Sequence, residues 1–494
     1  MSERSLKQVG SVGFLVLAGK AARFCVLIAM ARLLTPEDFG VFAIFALALN
    51  VCYTFYKNIV TNILVQRKDM SVADINTVAF TSLVFSVFAS LFFVSMAKPL
   101  AAFFGNTELA YLFYLTPIFL LIHGFGSVAI GLLSRAHRVV DVERSQTLYS
   151  TLVNLAVSLF LAVLGFDFMA LVIGLLVGEL ICAIRLYCIL QQKFAVRYHK
   201  ESFYKIKSAL KSYYYISLVS NFNQFIDQIL IGKFLGLAAV GIYTRAVQLR
   251  EYPLFIFSKT VVRILFPVLA DIQDKPARVR VAMLKTLNLT LLLLLPITVF
   301  LYLESEAIVL VVLGDQWHKV VGVMSILMLG VPFMVCSGIF HAALKAANRE
   351  SAIARYLTVY SVMLIISLSI GVQYEAHGIA IAVTFTAAMH CVNYAVLYAR
   401  TMSISFFDYL GVSRAGSLLA FIVAMILLGM ELILADTPAI LKLFIVSAVF
   451  SSTAVALLLL LPKSIISSDG LWLRRRLLEH IRLIIGRRFP AIKV

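Results

Sequence analysis

The chain has 494 residues, of which 62% are hydrophobic and 14% are charged, whereas soluble proteins are about half apolar and about a quarter charged. Apolar stretches of about 18 residues or more recur along its whole length, which predicts a polytopic helical membrane protein. The net charge of +18 lies mainly in the connections between these stretches, and this distribution excludes nucleic acid as the expected partner.

The predicted fold is an all-α polytopic membrane protein with about 14 transmembrane helices. Helix-start signals precede several of them: Thr35 and Ser71 are the predicted N-caps of spans 2 and 3, and Pro253 predicts a kink in span 8. In chain order the predicted spans cover residues 10–33, 36–57, 75–97, 109–133, 147–165, 168–190, 211–235, 238–264, 283–303, 319–344, 352–373, 377–399, 415–433 and 439–461.

The distribution of Lys and Arg supports this number of spans, because basic residues favour the cytoplasmic side of a membrane. Alternate connections hold 33 of the 43 basic residues, while the opposite connections hold about four, together with many acids. An even number of spans with both termini in the cytoplasm is therefore predicted. After the last span, residues 463–494 predict a basic amphipathic helix on the cytoplasmic leaflet. Beyond Gly486, a solvated tail is an equal alternative.

An internal repeat links two parts of the chain. Residues 31–42 align with residues 232–243 at an offset of 201, and Gly40 is matched by Gly241. Membrane transporters built from two repeats hold their substrate near the repeat interface and move by rocking one repeat against the other. The alternative is chance similarity between two corners in a Leu-rich chain.

Ionisable and amide side chains at bilayer depth concentrate in spans 1, 7 and 8, and such residues normally face a bundle interior or an aqueous cavity. Cations outnumber acids among them, so we expect an anionic ligand, and guanidinium groups suit phosphate in particular. The alternative is that these charges pair among themselves. The predicted substrate-binding cations are Lys20, Arg23, Arg245, Arg250 and Lys259, and the predicted polar or coupling residues are Asn221, Gln224, Asp227 and Glu251.

The remaining intramembrane polar residues receive structural interpretations. His123, His341 and His390 are expected to be hydrogen-bonded helix-contact residues rather than proton relays. Glu179 is expected to pair with Arg185, and the alternative is a coupling carboxylate. The six cysteines lie scattered in apolar segments without CxxC spacing, so neither a metal site nor a disulfide framework is predicted. We expect no catalytic residues and no cofactor, because nucleotide-binding and hydrolase motifs are missing from the sequence.

Several stretches of the chain resemble bacterial polysaccharide flippases of the Wzx type, within the multidrug/oligosaccharidyl-lipid/polysaccharide exporter superfamily and closest to the colanic-acid exporter branch. The resemblance extends from about residue 5 to residue 460. The stretches that carry it are ARLLTPEDFG at 31–40, QRK at 66–68, RILFPVLADIQD at 263–274 and LGDQW at 313–317.

The resemblance implies a V-shaped transporter in the bacterial inner membrane, with two six-helix repeats and two extra C-terminal helices. Its parts would be an N-lobe at 1–200, a C-lobe at 201–405, spans 13 and 14 at 406–462, and the tail at 463–494. Such proteins move undecaprenyl-pyrophosphate-linked oligosaccharide repeat units from the cytoplasmic to the periplasmic leaflet. Further candidate partners are membrane lipids, a coupling ion (proton or sodium), and the polymerase and chain-length regulator of the same pathway.

Three other functions are open at this point. A lipid II flippase also handles a polyprenyl pyrophosphate, but the exporter-branch stretches favour capsule, exopolysaccharide or O-antigen synthesis. A cation-coupled drug antiporter of the same superfamily would have an acidic lumen, which the surplus of cations disfavours. A membrane glycosyltransferase, polymerase or ligase usually has an extended periplasmic loop, and the sequence has none.

Overall fold

The computed structural model describes residues 3–460, except 68, 192, 273, 348 and 403–405, together with residues 471 and 475. Every regular element in this part of the chain is helical, which confirms the predicted all-α fold. The predicted amphipathic helix of the tail, 463–494, falls outside the described residues apart from 471 and 475.

The helices are α1 (Glu3–Leu33), α2 (Pro36–Phe55), α3 (Asn62–Gln66), α4 (Val72–Phe104), α5 (Glu108–Arg135), α6 (Val139–Ser145), α7 (Val153–Val163), α8 (Asp167–Ile189), α9 (Lys200–Phe234), α10 (Leu237–Leu254), α11 (Thr260–Asp271), α12 (Pro276–Leu303), α13 (Ser305–Val312), α14 (Val320–Ala346), α15 (Glu350–Gly371), α16 (Glu375–Met402), α17 (Phe406–Ile433) and α18 (Ala439–Leu460). Three π-helical segments, Tyr56–Thr61, Gln146–Leu152 and Phe255–Lys259, connect consecutive helices. The third directly follows α10, in which Pro253 lies next to the last residue. Since proline cannot donate a backbone hydrogen bond, the regular ladder changes where the kink was predicted.

Ten helical stretches among the described residues are long and apolar enough to cross a membrane. One of them, Arg355–Arg400, contains both α15 and α16 and so covers two predicted spans. Helices α1, α9 and α10 lie where spans 1, 7 and 8 were predicted. The multi-pass architecture is confirmed, and the number of 14 spans stays a prediction.

The chain divides into two compact units, Met1–Thr244 and Arg245–Val494. This boundary lies inside α10, whereas the sequence placed a boundary at residue 200. The first unit includes α9, which packs against α2 and α4. The lobe boundaries drawn from the sequence stay predictions.

The two aligned corners have the same helix boundaries. In the first, α1 ends at Leu33 and α2 begins at Pro36, and in the second, α9 ends at Phe234 and α10 begins at Leu237. Both boundaries are shifted by the same 201 residues. The helix starts differ chemically: Thr35 forms the predicted cap as part of a capping box with Asp38, whereas the second corner has Gly236 with a left-handed φ of 85°.

The aligned glycines of these corners touch each other's helices reciprocally. A Cβ atom on Gly40 would lie 1.8 Å from the carbonyl oxygen of Leu237, and one on Gly241 would lie 1.8 Å from that of Pro36. Leu237 is the aligned partner of Pro36, so the contact repeats itself when the two copies are exchanged. This is the geometry of a local two-fold axis, and it supports the interpretation of the corners as a true repeat.

The second unit is also held together by close packing of long apolar helices, with α12 along α17 and α14 along α16. Leu292 of α12 forms a buried cluster with Ala415 and Leu419 of α17. Nearby, a Cβ atom on Gly416 would lie 2.5 Å from the carbonyl oxygen of Leu291. Small residues allow this close approach of backbones, which is the main source of helix association in a membrane.

Candidate functional site

A polar cavity of about 230 Å³ lies inside the first unit. Its walls come from α1, α5, α8 and the π-helical segment Gln146–Leu152. The lining side chains with hydrogen-bonding or ionisable groups are Arg23, His123, Gln146, Ser150 and Glu179, with the Cys182 thiol beside them. Most of the remaining lining residues are apolar, so these polar groups share one small space.

Glu179 of α8 receives hydrogen bonds or charge from two neighbouring elements. The hydroxyl of Ser150 donates to Oε1 at 3.0 Å, and Nδ1 of His123 lies 3.5 Å from Oε2. Both ionisable side chains are about one-fifth exposed, at 20% each. An ionised carboxylate removed from bulk water requires such partners. Ser150 and His123 therefore stabilise the Glu179 carboxylate in this cavity.

The predicted pairing of Glu179 with Arg185 is wrong. Arg185 is exposed, and the carboxylate instead contacts His123 and Ser150. His123 is a helix-contact residue, as expected, but it contacts an acid beside a cavity.

Aromatic rings hold His123 in place. The ring of Tyr53 stacks on the imidazole with centroids 3.7 Å apart and an interplanar angle of 16°, and the ring of Tyr56 lies 5.5 Å away. The Tyr56 hydroxyl is in turn within 2.6 Å of Ser86 Oγ. The Tyr53 hydroxyl is buried and has no hydrogen-bond partner among the described residues. The imidazole therefore has little freedom to leave Glu179.

Arg23 reaches the same cavity from α1. Its Nη2 donates to Thr151 Oγ1 at 2.8 Å, and its charge interacts with that of Glu179. Helix α1 comes close to the π-helical segment one turn earlier, where a Cβ atom on Gly19 would lie 3.3 Å from the methyl group of Thr147. The Arg23 residue is exposed, and a guanidinium carries five N–H donors, so Arg23 can contact a ligand in addition to Thr151.

Close packing also fixes α8 against the π-helical segment. A Cβ atom on Gly178 would lie 2.5 Å from the carbonyl oxygen of Ser150, so the residue before Glu179 touches the backbone that carries its hydrogen-bond donor. The π-helical turn has a wider hydrogen-bond spacing than an α-helix, and such turns are frequent at functional sites. Here it presents Gln146 and Ser150 to the cavity and Thr151 to Arg23.

The other predicted site residues of the first unit are placed as follows. Asp227 accepts a hydrogen bond of 2.6 Å from the Tyr243 hydroxyl, Gln224 is exposed and Lys20 is half-buried. The side chain of Asn221 is outside the described part of the structure. Arg23 is the member of the predicted set that lines the polar cavity.

In the second unit, Arg250 is buried at 7% exposure, with Nη2 4.0 Å from Glu251 Oε1. Arg245 is half-buried, and the side chain of Lys259 lies outside the described residues. The Arg250–Glu251 contact fits the alternative that some intramembrane charges pair among themselves. The role of the whole predicted set in substrate binding stays a prediction.

The second unit has its own polar cluster, between α14 and α16. Nδ1 of His341 lies 3.4 Å from the Tyr394 hydroxyl, and the His390 ring lies between the rings of Tyr394 and Tyr360, with centroids at 4.3 Å and 4.5 Å. His390 Nδ1 is buried without a hydrogen-bond partner among the described residues. His341 is thus the helix-contact residue that the sequence predicted.

The sequence missed the pairing of His123 with Glu179, although a signal for it existed. Each residue is the ionisable group near the middle of an otherwise apolar span, and two such residues in neighbouring spans are candidates for a pair. As for metals, no group of three or more His, Cys, Asp or Glu side chains that could bind an ion occurs in the part of the chain that the structure describes.

Comparison with known proteins identifies relatives along almost the whole chain. Succinoglycan biosynthesis transport protein ExoT of Rhizobium meliloti (strain 1021) is 24% identical over 470 residues, which are 94% of this chain and 92% of ExoT.

Among solved structures, the lipid II flippase MurJ in an inward closed conformation matches with a TM-score of 0.73 at 15% identity, over 89% of this chain and 98% of MurJ. An inward-facing multidrug resistance MATE family transporter of the MOP superfamily matches with a TM-score of 0.62 at 11% identity, over 78% and 94%. These two likenesses confirm the transporter fold.

The family model for polysaccharide biosynthesis proteins matches residues 29–322, which is more than half of the chain. This match begins just before the corner that carried the resemblance and extends past the LGDQW stretch. The family expected from the sequence is confirmed, while the placement in one branch stays a prediction. The chain belongs to the polysaccharide biosynthesis protein family.

Proposed function

We propose that this protein is a flippase that moves polyprenyl-pyrophosphate-linked oligosaccharide repeat units from the cytoplasmic to the periplasmic leaflet for extracellular polysaccharide synthesis. The observation that carries the proposal is that Arg23, an exposed residue, lines a polar cavity inside a transporter fold. The family match and the named transport function of ExoT support the substrate class. The protein acts by transport and has no catalytic residue in this proposal.

The surplus of cations in the predicted set of binding residues favours an anionic substrate. Arg23 is a proposed ligand of the pyrophosphate, and so is Arg250, because a guanidinium fork binds phosphate oxygens bidentately. Lys20, Arg245 and Lys259 would add positive potential in the same proposal. A cationic drug would be repelled by this charge, so the drug-antiporter alternative is disfavoured. A lipid II flippase would use the same pyrophosphate chemistry, and the family match favours a polysaccharide precursor instead.

The energy source for transport has to be something other than nucleotide hydrolysis in this proposal, because the sequence has no nucleotide-binding motif. Net export then requires the membrane potential, an ion gradient, or removal of the product by the polymerase. Alternating access shifts populations only if the two states bind the substrate differently. Asn221, Gln224, Asp227 and Glu251 are the proposed residues for this difference, with a proton or sodium ion as the coupling partner.

Export assays in a strain that lacks this gene test the proposal. Arg23→Gln and Arg250→Gln should each abolish polysaccharide export and leave protein level and membrane insertion unchanged. Arg23→Lys should restore export only in part, since an ammonium keeps the charge but loses the fork. Arg185→Gln, an exposed arginine of the first unit, is the matched control. Wild-type export by the double glutamine variant would show that these charges are structural.

We also propose that both termini face the cytoplasm in the bacterial inner membrane. Cysteine labelling in intact cells tests this orientation. A cysteine at the exposed Lys205 should resist an impermeant thiol reagent until the cells are lysed, while one at the exposed Glu37 should react at once. Labelling of Lys205→Cys without lysis would show that the orientation is opposite to the one proposed.

A further inference from the structure

Two cysteines of the second unit meet where α14 packs against α16. Cys336 lies in α14 and Cys391 in α16, and their thiol groups are hydrogen-bonded to each other. Both thiols are free in this structure. We propose that Cys336 and Cys391 form an oxidisable dithiol, which a two-electron acceptor of the quinone or azo class converts into a disulfide that joins the two helices. This site does not depend on the substrate that the protein carries.

The packing of the two helices brings their backbones close enough for such a bond. Before the cysteines in sequence, a Cβ atom on Gly330 would lie 3.6 Å from the Cα atom of Thr384. The Thr384 hydroxyl donates to the carbonyl oxygen of Ile326 at 3.1 Å. After the cysteines, His341 contacts Tyr394. The thiol pair thus lies inside a continuous interface, and close approach at small residues allows the Cα separation of about 4.4–6.8 Å that a disulfide needs.

The position of the pair determines which reagents can reach it. Cys336 is 8% exposed, whereas Cys391 is half-buried, so a reagent meets Cys391 first. Both residues lie near the middle of their long helices, at the depth expected for the centre of the bilayer. A small, membrane-permeant oxidant is the class of reagent that reaches this depth from either side.

The reaction begins with one thiolate, because the thiolate is the nucleophile in disulfide formation. Cys391 is the better candidate, since it is the more accessible of the two and the Ser337 hydroxyl is hydrogen-bonded to its sulfur. With diamide, an azo compound, the Cys391 sulfur adds to one nitrogen of the N=N bond. The Cys336 sulfur then attacks the Cys391 sulfur, the S–N bond breaks and a hydrazine leaves. The two thiols lose two electrons and two protons, and the two nitrogens receive them.

Differential thiol labelling of the purified full-length protein in lipid nanodiscs tests the proposal, with diamide as the oxidant. After oxidation, the remaining free thiols are blocked with N-ethylmaleimide in SDS. Disulfides are then reduced, and the thiols that they release receive an isotopically heavy N-ethylmaleimide. Peptide mass spectrometry should find the heavy label on Cys336 and Cys391 in equal share, and the light label on the exposed Cys188. Heavy label on neither cysteine, or on one of them alone, would overturn the proposal.

Serine variants identify the partner of each sulfur. Cys336→Ser should remove the heavy label from Cys391, and Cys391→Ser should remove it from Cys336, because a disulfide needs both sulfurs. Cys188→Ser, at an exposed cysteine of the first unit, is the matched control and should leave both heavy labels unchanged. Heavy label on Cys391 in the Cys336→Ser variant would show that another thiol is its partner, which overturns the pair. If one serine variant does not fold, the other gives the same test.

The cross-link should also change the stability of the protein, because it restricts the unfolded chain. We expect the oxidised wild type to melt about 2–5 °C above the reduced protein in the same nanodiscs, and dithiothreitol to reverse this difference. Cys336→Ser should melt at one temperature with and without diamide. An equal rise in this variant would assign the stabilisation to other thiols and contradict a cross-link between α14 and α16.

Discussion

The two copies of the repeat share their packing but differ in their polar chemistry. At the corners, Gly40 and Gly241 make the same contact with each other's helix. Further along, a histidine on span 4 meets an acid on span 6, as His123 with Glu179. Spans 10 and 12, which the predicted repeat pairs with spans 4 and 6, instead bring together His341 and Tyr394.

This difference separates what holds the fold from what can carry charge. The cluster of the second unit contains histidines and tyrosines, and among the described residues no carboxylate contacts its histidines. Glu304, a buried acid of that unit, is 2% exposed and directly follows the last residue of α12. Only the first cluster therefore places a fixed negative charge beside an arginine. Similar helices can thus support different functions through a few polar substitutions.

The largest effect on stability should come from substitutions in the packing that the two corners share. Gly40→Ala places a Cβ atom against a backbone oxygen at 1.8 Å, which side-chain rotation cannot relieve, so we expect a loss of about 3 kcal/mol in unfolding free energy. Gly429→Ala, at a helical glycine with nothing within 4 Å, should raise it by about 0.5–1 kcal/mol. Thermal unfolding in detergent measures both. Equal effects of the two variants would contradict the contact.

The second-largest effect on stability should come from replacing the Glu179 carboxylate of the first cluster. Glu179→Ala leaves Ser150 and His123 without their acceptor, so we expect a loss of about 2 kcal/mol. Glu179→Gln keeps an acceptor oxygen for Ser150 and should lose about 1 kcal/mol or less. The same melting assay compares them. If both variants have the melting temperature of the wild type, the contacts of the Glu179 carboxylate contribute nothing to folding.

The buried acid of the second unit should respond to pH. Burial raises the pKa of Glu304, outside the membrane-spanning segments, above its ordinary value of 4.5, while Lys442 opposes and Glu431 adds to the effect. A raised folded-state pKa stabilises the fold at low pH, and this stabilisation is lost as the pH rises through the folded-state value.

Glu304→Gln removes this titration. We expect the variant to melt with the wild type near pH 4 and about 2 °C higher near pH 8. Glu306→Gln, at the exposed neighbour, should show no such divergence. A variant less stable than the wild type at high pH would mean that the ionised carboxylate is stabilising.

The smallest effect should come from the neutral cluster. The hydrogen bond between His341 and Tyr394 is long, at 3.4 Å, so Tyr394→Phe should lose about 0.5 kcal/mol. Tyr374→Phe, at an exposed tyrosine, is the control. A loss as large as that of Glu179→Ala would make the two clusters equivalent in energy.

Local signals in the sequence predicted local structure well. Thr35 and Ser71 form the predicted N-caps, each with a capping box to the acid three residues later, because a cap depends on neighbours in the chain. The helix boundaries at the aligned corners follow the repeat offset. The prediction of a partner for Glu179 failed because that partner depends on which faces of α5 and α8 meet. Neither helix encodes that choice in its own periodicity, and the wrong partner, Arg185, was simply the nearest cation in sequence.

The reciprocal corner contact makes one polypeptide behave locally like a symmetric dimer. In a homodimer, one mutation changes both sides of the interface at once, because both subunits come from one gene. Here the two sides are encoded separately, at Gly40 and Gly241. A larger residue at either position meets an unchanged backbone on the other side. Sequence drift in the two copies is therefore coupled at this point, even where the rest of each copy is free to specialise.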